Sequence, residues 1–324
     1  MVHRLLGLTA AAVAIAQGVA FAQPANTYVL PPAAGGPAPP PAPSGPPPDL
    51  AFGAYQRGFY ITALNEAMKA IRADPKDAAA MTLIGELYRT GTGVKLDGAE
   101  AEHWYRLAAK LGDRQAQFEL GLMTLTGQGG LAKDRAAAAA LFEQAAAQGH
   151  AGALYNLGVM AIGGDETTKP DFAKAAELFR RAADLGDGDA AYSYGLLARS
   201  GRGVDLDTEE AAQWIKRSAD AGVVAGQIEY AIMLYNGEGV LRDETAAAKL
   251  FGRAAAQNNP IAQNRLAHLY ATGRGVKQDL AEAAAWNVLA KAGGVRDAQL
   301  DALTAALTPE QRTQMLSIVR HQEF

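Results

Sequence analysis

Apolar residues recur at helical spacing in two kinds of segment that alternate along most of the chain. In the first kind, Leu83-Ile84 and Leu87-Tyr88 fall on one helix face, and in the second kind Trp104 and Leu107-Ala108 do so. The pair of segments returns every 36 or 37 residues until about residue 294. A fixed period of this length predicts a solenoid, in which helical pairs stack because no pair buries its apolar faces alone.

Four kinds of residue mark the period. The position of Gly85, where a small residue lets another helix approach closely, returns as Gly121, Gly158, Gly195, Ala231 and Ala267. The turn glycine Gly91 returns as Gly127, Gly163, Gly201, Gly237 and Gly273. Asp97, which we expect to cap the second helix, returns as Asp134, Asp171, Asp207, Asp243 and Asp279. An aromatic anchor of the second helix is assigned to Trp104, Phe142, Phe179, Trp214, Phe251 and Trp286. The predicted fold is therefore all-α, a right-handed α/α superhelical solenoid of helix–turn–helix repeats.

The repeat also matches a known pattern. It reads Ala80…Ile84-Gly85…Tyr88…Gly91-Thr92-Gly93-Val94…Asp97, then Ala101…Trp104…Ala108-Ala109…Gly112. This pattern resembles the Sel1-like repeat, a relative of the tetratricopeptide repeat, and six copies cover residues 79–294. Copy three replaces the Gly-x-Gly-Val turn at residues 163–170, where we expect a locally reshaped loop. The resemblance implies a non-catalytic scaffold for other proteins, often in bacterial envelopes, although the cysteine pairs of many relatives are missing here.

The first 48 residues precede the helical pattern. Residues 1–22 are typical of a signal peptide, with His3-Arg4, an apolar stretch and a small-x-small site that predicts cleavage after Ala22. Cleavage would leave no membrane span and a periplasmic or secreted protein; an uncleaved anchor is the alternative. Residues 23–48 hold 11 of the 15 prolines and predict an extended linker. Docking of Pro37 to Pro48 on an aromatic groove is the less favoured interpretation.

Both ends of the solenoid carry atypical helical segments. Residues 49–78 predict an N-terminal helical pair similar to a tetratricopeptide unit, and residues 295–324 predict C-terminal capping helices. In the second of these, Thr308 is the expected N-cap residue and Gln311 is placed to reach back to it. Such end units are expected because the outer face of a terminal repeat has no neighbour to cover it.

The composition excludes several functions. The formal net charge is −4 and the isoelectric point about 5.8, which gives no basis for nucleic-acid binding. No cysteine is present for disulfides or thiolate catalysis. We find no catalytic motif, no cofactor fingerprint in a suitable context and no spacing typical of metal ligands. The six Asp97-type residues lie one per repeat, too far apart to share an ion, and His268 is the least ordinary of the histidines.

A polar stripe on the first helices is the candidate binding surface. The position two residues before the Gly85 marker gives Leu83, Glu119, Asn156, Ser193, Glu229 and Arg265. Seven residues on, the same face gives Thr90, Thr126, Gly163, Ser200, Asn236 and Thr272. A variable polar stripe on a constant frame is typical of a concave groove that binds a protein or peptide. An ordinary solvated face would show the same pattern, and the sequence does not separate the two.

These observations favour a non-catalytic adaptor of the bacterial envelope, with a role in membrane signalling or exopolysaccharide machinery suggested by the resemblance. One alternative is a hydrolase of cell-wall peptides or β-lactams, which we disfavour because no nucleophile–base pair is evident. Another is a structural spacer that only holds distance. The sequence does not reveal the partner or the oligomeric state.

Overall fold

The computed structural model of the chain describes residues 49–164 and 169–322, and every regular element in these residues is helical. The predicted all-α fold is confirmed. The predicted signal peptide and Pro-rich linker both lie outside the described residues. The chain divides into two compact units, Met1–Gln148 and Gly149–Phe324, called unit 1 and unit 2 below.

Unit 1 contains six α-helices in its described residues, and within the unit each packs on the next. They are α1 (Leu50–Gln56), α2 (Tyr60–Ala73), α3 (Ala78–Thr90), α4 (Gly98–Lys110), α5 (Arg114–Thr126) and α6 (Arg135–Ala147), with a short 3-10 helix at Gln128–Gly130.

Unit 2 contains ten α-helices in its described residues. They are α7 (Ala151–Gly163), α8 (Phe172–Asp184), α9 (Gly188–Ser200), α10 (Thr208–Asp220), α11 (Val224–Asn236), α12 (Glu244–Ala256), α13 (Pro260–Thr272), α14 (Leu280–Ala292), α15 (Ala298–Ala305) and α16 (Pro309–Gln322). The helices from α7 to α15 pack successively, and α16 returns to pack on α14. Thr308 and Gln311 form the predicted reciprocal cap, in which each backbone N–H donates to the other residue's side chain.

The second helix of every repeat begins at a capping aspartate, as predicted. Each side chain accepts one or two backbone N–H groups of the helix's first turn; the six are Asp97, Asp134, Asp171, Asp207, Asp243 and Asp279. The backbone N–H of the same aspartate donates to a carbonyl near the end of the preceding helix, at 3.0 Å from Asp97 to Tyr88 and 2.9 Å from Asp171 to Ala161. The residue therefore fixes both ends of the turn, a role that side-chain capping alone does not reveal.

Copy three keeps this connection although its turn differs. The other turns end the first helix with a left-handed glycine such as Gly91, whereas α7 extends through Gly163 and is followed by Gly164 at φ 55° and ψ −162°. Residues 165–168 of the predicted reshaped loop lie outside the described residues. The hydrogen bond from Asp171 to Ala161 shows that the altered turn still joins its two helices at the usual point.

The small residue of the first helix makes room for a large side chain of the second. A Cβ added to Gly85 would lie 2.8 Å from the Tyr105 ring, and one added to Gly121 would lie 2.7 Å from the Phe142 ring. At these two positions the approach leaves no room for a Cβ, so glycine is required there, whereas the equivalent positions Ala231 and Ala267 carry the next smallest residue.

The single aromatic anchor assigned from the sequence is wrong in register. Counted from the capping aspartate, Trp104 is equivalent to Leu141, and Tyr105 is equivalent to Phe142. The Tyr105-type position is fully buried in both repeats of unit 1, whereas Trp104 and Leu141 are only partly buried. Either of two neighbouring positions can carry an aromatic residue, so the sequence pattern alone does not separate them. Adjacent residues of a helix point in directions about 100° apart, and the two positions therefore have different surroundings.

The second glycine of the turn connects one repeat to the one before it. Gly239 has φ 69°, and a Cβ there would lie 2.0 Å from the carbonyl oxygen of Thr208, the first residue of α10. Gly275 makes the same approach to Glu244, at the start of α12. The turn therefore packs directly on the backbone of the preceding second helix, where no larger residue fits.

Candidate interaction surface

The predicted stripe lies on the first helix of each repeat, and most of its hydroxyl groups are already used. The side chains of Thr90, Thr126, Ser200 and Thr272 donate to the carbonyl four residues earlier, at 2.7–2.8 Å. These bonds are local and occupy the donor that a partner would need. The stripe is therefore less available for hydrogen bonding than its sequence indicates.

Asn156 and Ser193 are also turned toward their own helices. The Asn156 amide donates to Gly152 and the Ser193 hydroxyl donates to Asp189, both at 2.8 Å. Ser193 is 9% exposed, and Leu83 and Gly163 offer no polar group. These positions are thus poor candidates for direct contact.

In unit 1, Glu119 belongs to a cluster of charged side chains. Its carboxylate lies 3.9 Å from Arg89, and Arg89 makes a two-bond pair with Glu86 at 2.7 and 2.8 Å. The Tyr105 hydroxyl donates to the same Glu86 at 2.9 Å. Burial raises the pKa of the Glu119 carboxyl, and Arg89 opposes this shift. The carboxylate thus already has a cationic neighbour within the protein.

Unit 2 repeats this arrangement around Glu229. Its carboxylate pairs with Arg199, which also makes two bonds to Glu238 at 2.7 and 2.8 Å. Arg199 precedes Glu229 by 30 residues, and Arg89 precedes Glu119 by the same number, so both pairs join one first helix to the next. These arginines lie four residues after the Gly85 marker and are not among the residues predicted for the stripe. A search for opposite charges at this separation would have found them.

Arg265 and Asn236 differ from the rest of the stripe. Both are exposed, and neither side chain has a hydrogen-bond or ion-pair partner within the part of the chain that the structure describes. Beside Asn236, the ring of Tyr235 lies under Arg274 and Arg242, with guanidinium carbons 5.0 and 5.9 Å from its centroid. Both arginines also form ion pairs with Glu244. Arg265, unlike these two, is therefore a cationic group that an acidic partner can contact without displacing an internal ion pair.

His268 takes part in a polar contact between α13 and the C-terminal helices. Its Nε2 atom lies 2.7 Å from Asp297, whose carboxylate also accepts from Asn264 at 3.2 Å and caps α15. Burial raises the pKa of Asp297, but the hydrogen bonds from Leu300, His268 and Asn264 outweigh it and hold the pKa at about 2. The cluster joins the last repeat to the segment that follows it.

This lowered pKa predicts an acid-sensitive stabilisation. Because the pKa of Asp297 is lower in the folded state, its contribution is present above about pH 4 and is lost as the pH falls toward 2. We expect it to amount to roughly 1–2 kcal/mol in the free energy of unfolding. Urea denaturation between pH 5 and pH 2 should show the gap between the native chain and Asp297→Asn closing as the pH falls. A gap independent of pH would contradict this assignment.

The described residues contain neither a candidate metal cluster nor a candidate membrane span. Nowhere among them do three or more histidine, aspartate or glutamate side chains converge on a metal-sized site. Across the same residues, the structure has no helix that is both long and apolar enough to span a membrane.

Comparisons with known proteins agree with the repeat structure. A Sel1 repeat model matches residues 78–113, 114–150, 151–187, 188–223, 224–259 and 260–290, about two thirds of the chain. A Sel1 repeat protein from Oxalobacter formigenes is similar in structure, with 29% identity and a TM-score of 0.65 over 76% of this chain and 97% of that one. The protein c5321, described as a protective antigen present in uropathogenic Escherichia coli strains and displaying an SLR fold, is similar with 25% identity and a TM-score of 0.50, over 84% of this chain and 67% of that one. No curated protein matches the chain.

Proposed function

Because the chain belongs to the Sel1 repeat family, whose members generally mediate protein–protein interactions and are typically non-catalytic, we propose that it is an exported interaction scaffold. The observation that carries this proposal is the contrast between a constant frame and a variable first-helix stripe. The capping aspartates and close helix contacts repeat along the chain, while the position of Arg265 changes in charge and size from copy to copy. Such an arrangement supports recognition of a partner by a rigid row of side chains.

We place the binding surface of unit 2 around Arg265, Asn236 and Tyr235. Glu119 and Glu229 form ion pairs within the protein, so a partner would gain little from them without displacing Arg89 or Arg199. Arg265 is exposed and free of such competition. A protein or peptide with carboxylate and amide groups fits this surface. In this proposal it binds in a groove that the stripe lines.

The cellular setting is also proposed. The predicted signal at residues 1–22 supports export, and the Pro-rich segment supports a spacer between the membrane side and the repeats. The description of c5321 as a protective antigen is compatible with an envelope setting. Within that setting, adaptor roles in membrane signalling or exopolysaccharide machinery are the candidates.

Charge reversal at Arg265 tests the surface. We expect Arg265→Glu to reduce capture of the partner by at least about tenfold, because a free cationic contact becomes repulsive. Arg253→Glu is the matched control, since Arg253 is also exposed but lies on the second helix α12. The measurement is cross-linking in the periplasmic fraction, followed by quantitative mass spectrometry of proteins bound to the native chain and to each variant.

The capture experiment and an activity assay together separate the alternatives. If Arg265→Glu captured as much of the partner as the control Arg253→Glu does, the result would contradict the proposed surface. If the native chain captured no protein, the structural spacer would be favoured. Turnover of a labelled cell-wall peptide or of a β-lactam by the purified chain would favour the hydrolase.

A further inference from the structure

The start of α11 lacks a feature that the first helices of the other repeats share. Each of those five helices begins after a residue whose side chain accepts a backbone N–H group of the first turn; the five residues are Asp77, Asp113, His150, Asp187 and Asn259. The equivalent residue before α11 is Val223, whose side chain has no acceptor. The first turn of α11 is therefore less stable than the equivalent turns by the contribution of one cap.

A buried hydroxyl group lies where α10 meets α11. Ser218 of α10 is fully buried, and its Oγ atom has no hydrogen-bond partner among the described residues. The equivalent position of the other five repeats is a fully buried alanine, namely Ala108, Ala145, Ala182, Ala254 and Ala290. The hydroxyl loses its hydrogen bonds to water when the helices pack and gains none in return. The packed state of α10 and α11 is therefore less stable than it would be with alanine.

Gly226 accommodates this hydroxyl on the side of α11. A Cβ added to Gly226 would lie 2.3 Å from the Oγ atom of Ser218 and 2.8 Å from its Cβ atom. The equivalent residues of the other repeats are all alanine, namely Ala80, Ala116, Ala153, Ala190 and Ala262. Glycine in a helix is less favourable than alanine because its backbone loses more conformational freedom. Three departures from the repeat pattern thus coincide, and all of them destabilise the start of α11.

We propose that the first two turns of α11, residues 224–230, open by local unfolding while the rest of unit 2 stays folded. We call these residues the opening segment. Local unfolding begins where a segment is less stable than its neighbours. Each of the three features changes the opening equilibrium by about fivefold or more, and all three act on the same turns. The segment is therefore the first part of the repeats in unit 2 to open.

Opening of this segment releases a charged group. Glu229 lies within the opening segment, and its carboxylate pairs with Arg199 of α9. Arg199 keeps a second partner, Glu238, which lies in the turn after α11. Opening therefore frees one carboxylate of the stripe on the helix that also carries Asn236, where a cationic group of a partner can contact it. This use by a partner rests on the proposed function, whereas the opening itself does not.

Amide hydrogen exchange of the full-length chain tests the opening without a partner. After correction for intrinsic rates, we expect residues 224–230 to exchange at least about tenfold faster than the equivalent residues 188–194 of α9 and 261–266 of α13. The variant V223D/S218A supplies the cap and removes the unpaired hydroxyl, so it should slow exchange of the opening segment by at least about tenfold. Equal rates in the three native segments, or an unchanged rate in the variant, would overturn the proposal.

Transfer of the three residues to α12 and α13 is the matched control. The triple variant A254S/N259V/A262G places serine, valine and glycine at the equivalent positions. We expect exchange of residues 261–266 to accelerate by at least about tenfold, and that of the opening segment to stay within about twofold of the native rate. If residues 261–266 exchanged at the native rate, these three residue types would not cause opening and the proposal would fail.

Two single substitutions test whether the ion pair breaks on opening. Glu229→Gln removes the charge inside the opening segment, and Glu238→Gln removes the other partner of the same arginine outside it. We expect exchange of the opening segment to accelerate by about fivefold in the first variant and by less than about twofold in the second. Equal effects of the two substitutions would show that Glu229 is not released by the opening and would overturn that step.

Discussion

Replacing Gly239 with alanine is expected to lower the free energy of unfolding of unit 2 by roughly 3 kcal/mol or more. The added Cβ would lie 2.0 Å from the Thr208 carbonyl oxygen. The backbone fixes the positions of both atoms, so no change of side-chain rotamer can relieve the overlap. The repeat must therefore move away from its neighbour or lose the turn. Urea denaturation followed by circular dichroism measures the loss, and hydrogen exchange shows whether α10 and α11 open first.

Gly222 is the matched control because it shares the backbone conformation but not the contact. Its φ is 85°, and a Cβ there would meet no other atom within 4 Å. Gly222→Ala should therefore cost only the strain of a left-handed alanine, about 1 kcal/mol. If the two substitutions destabilised unit 2 equally, the contact between the turn and the preceding helix would not be what requires glycine at position 239.

Phe142→Ala should have the largest effect in unit 1, a loss of roughly 3–5 kcal/mol in the free energy of unfolding. The ring is fully buried and lies against Gly121, so its removal leaves a cavity that the rigid helix pair fills poorly. Denaturation of the native chain and the variant, with hydrogen exchange to assign the loss to α5 and α6, provides the measurement.

Leu141→Ala tests the register of the anchor at the adjacent position. Leu141 occupies the position of Trp104 and is only partly buried, so we expect its truncation to cost about 1–2 kcal/mol. An effect as large as that of Phe142→Ala would mean that the two positions contribute equally to the core and would contradict the assignment drawn from the burial of Phe142.

The candidate surface shows where sequence reasoning reaches its limit. The sequence pattern places the stripe on the first helices, but it does not show that Thr90 and Ser200 donate to their own helices. Nor does it show that Arg89 and Arg199 reach the glutamates of the next repeat. Among the predicted residues, Arg265 and Asn236 keep exposed side chains without a described partner, and only the three-dimensional arrangement singles them out.

The sequence by itself determined the period, the pairing of two helices in each repeat and the residues that begin and end them. These features depend on groups a few residues apart, such as Asp97 and the N–H groups of Ala99 and Glu100, so the local pattern is sufficient. The tertiary structure alone decided which second-helix position meets Gly85 and which charges are paired between repeats. Tyr105 lies 20 residues from Gly85 and Glu119 lies 30 residues from Arg89. Their contacts depend on how helices rotate and stack, and a rotation by one residue would bring Trp104 in place of Tyr105 to the core.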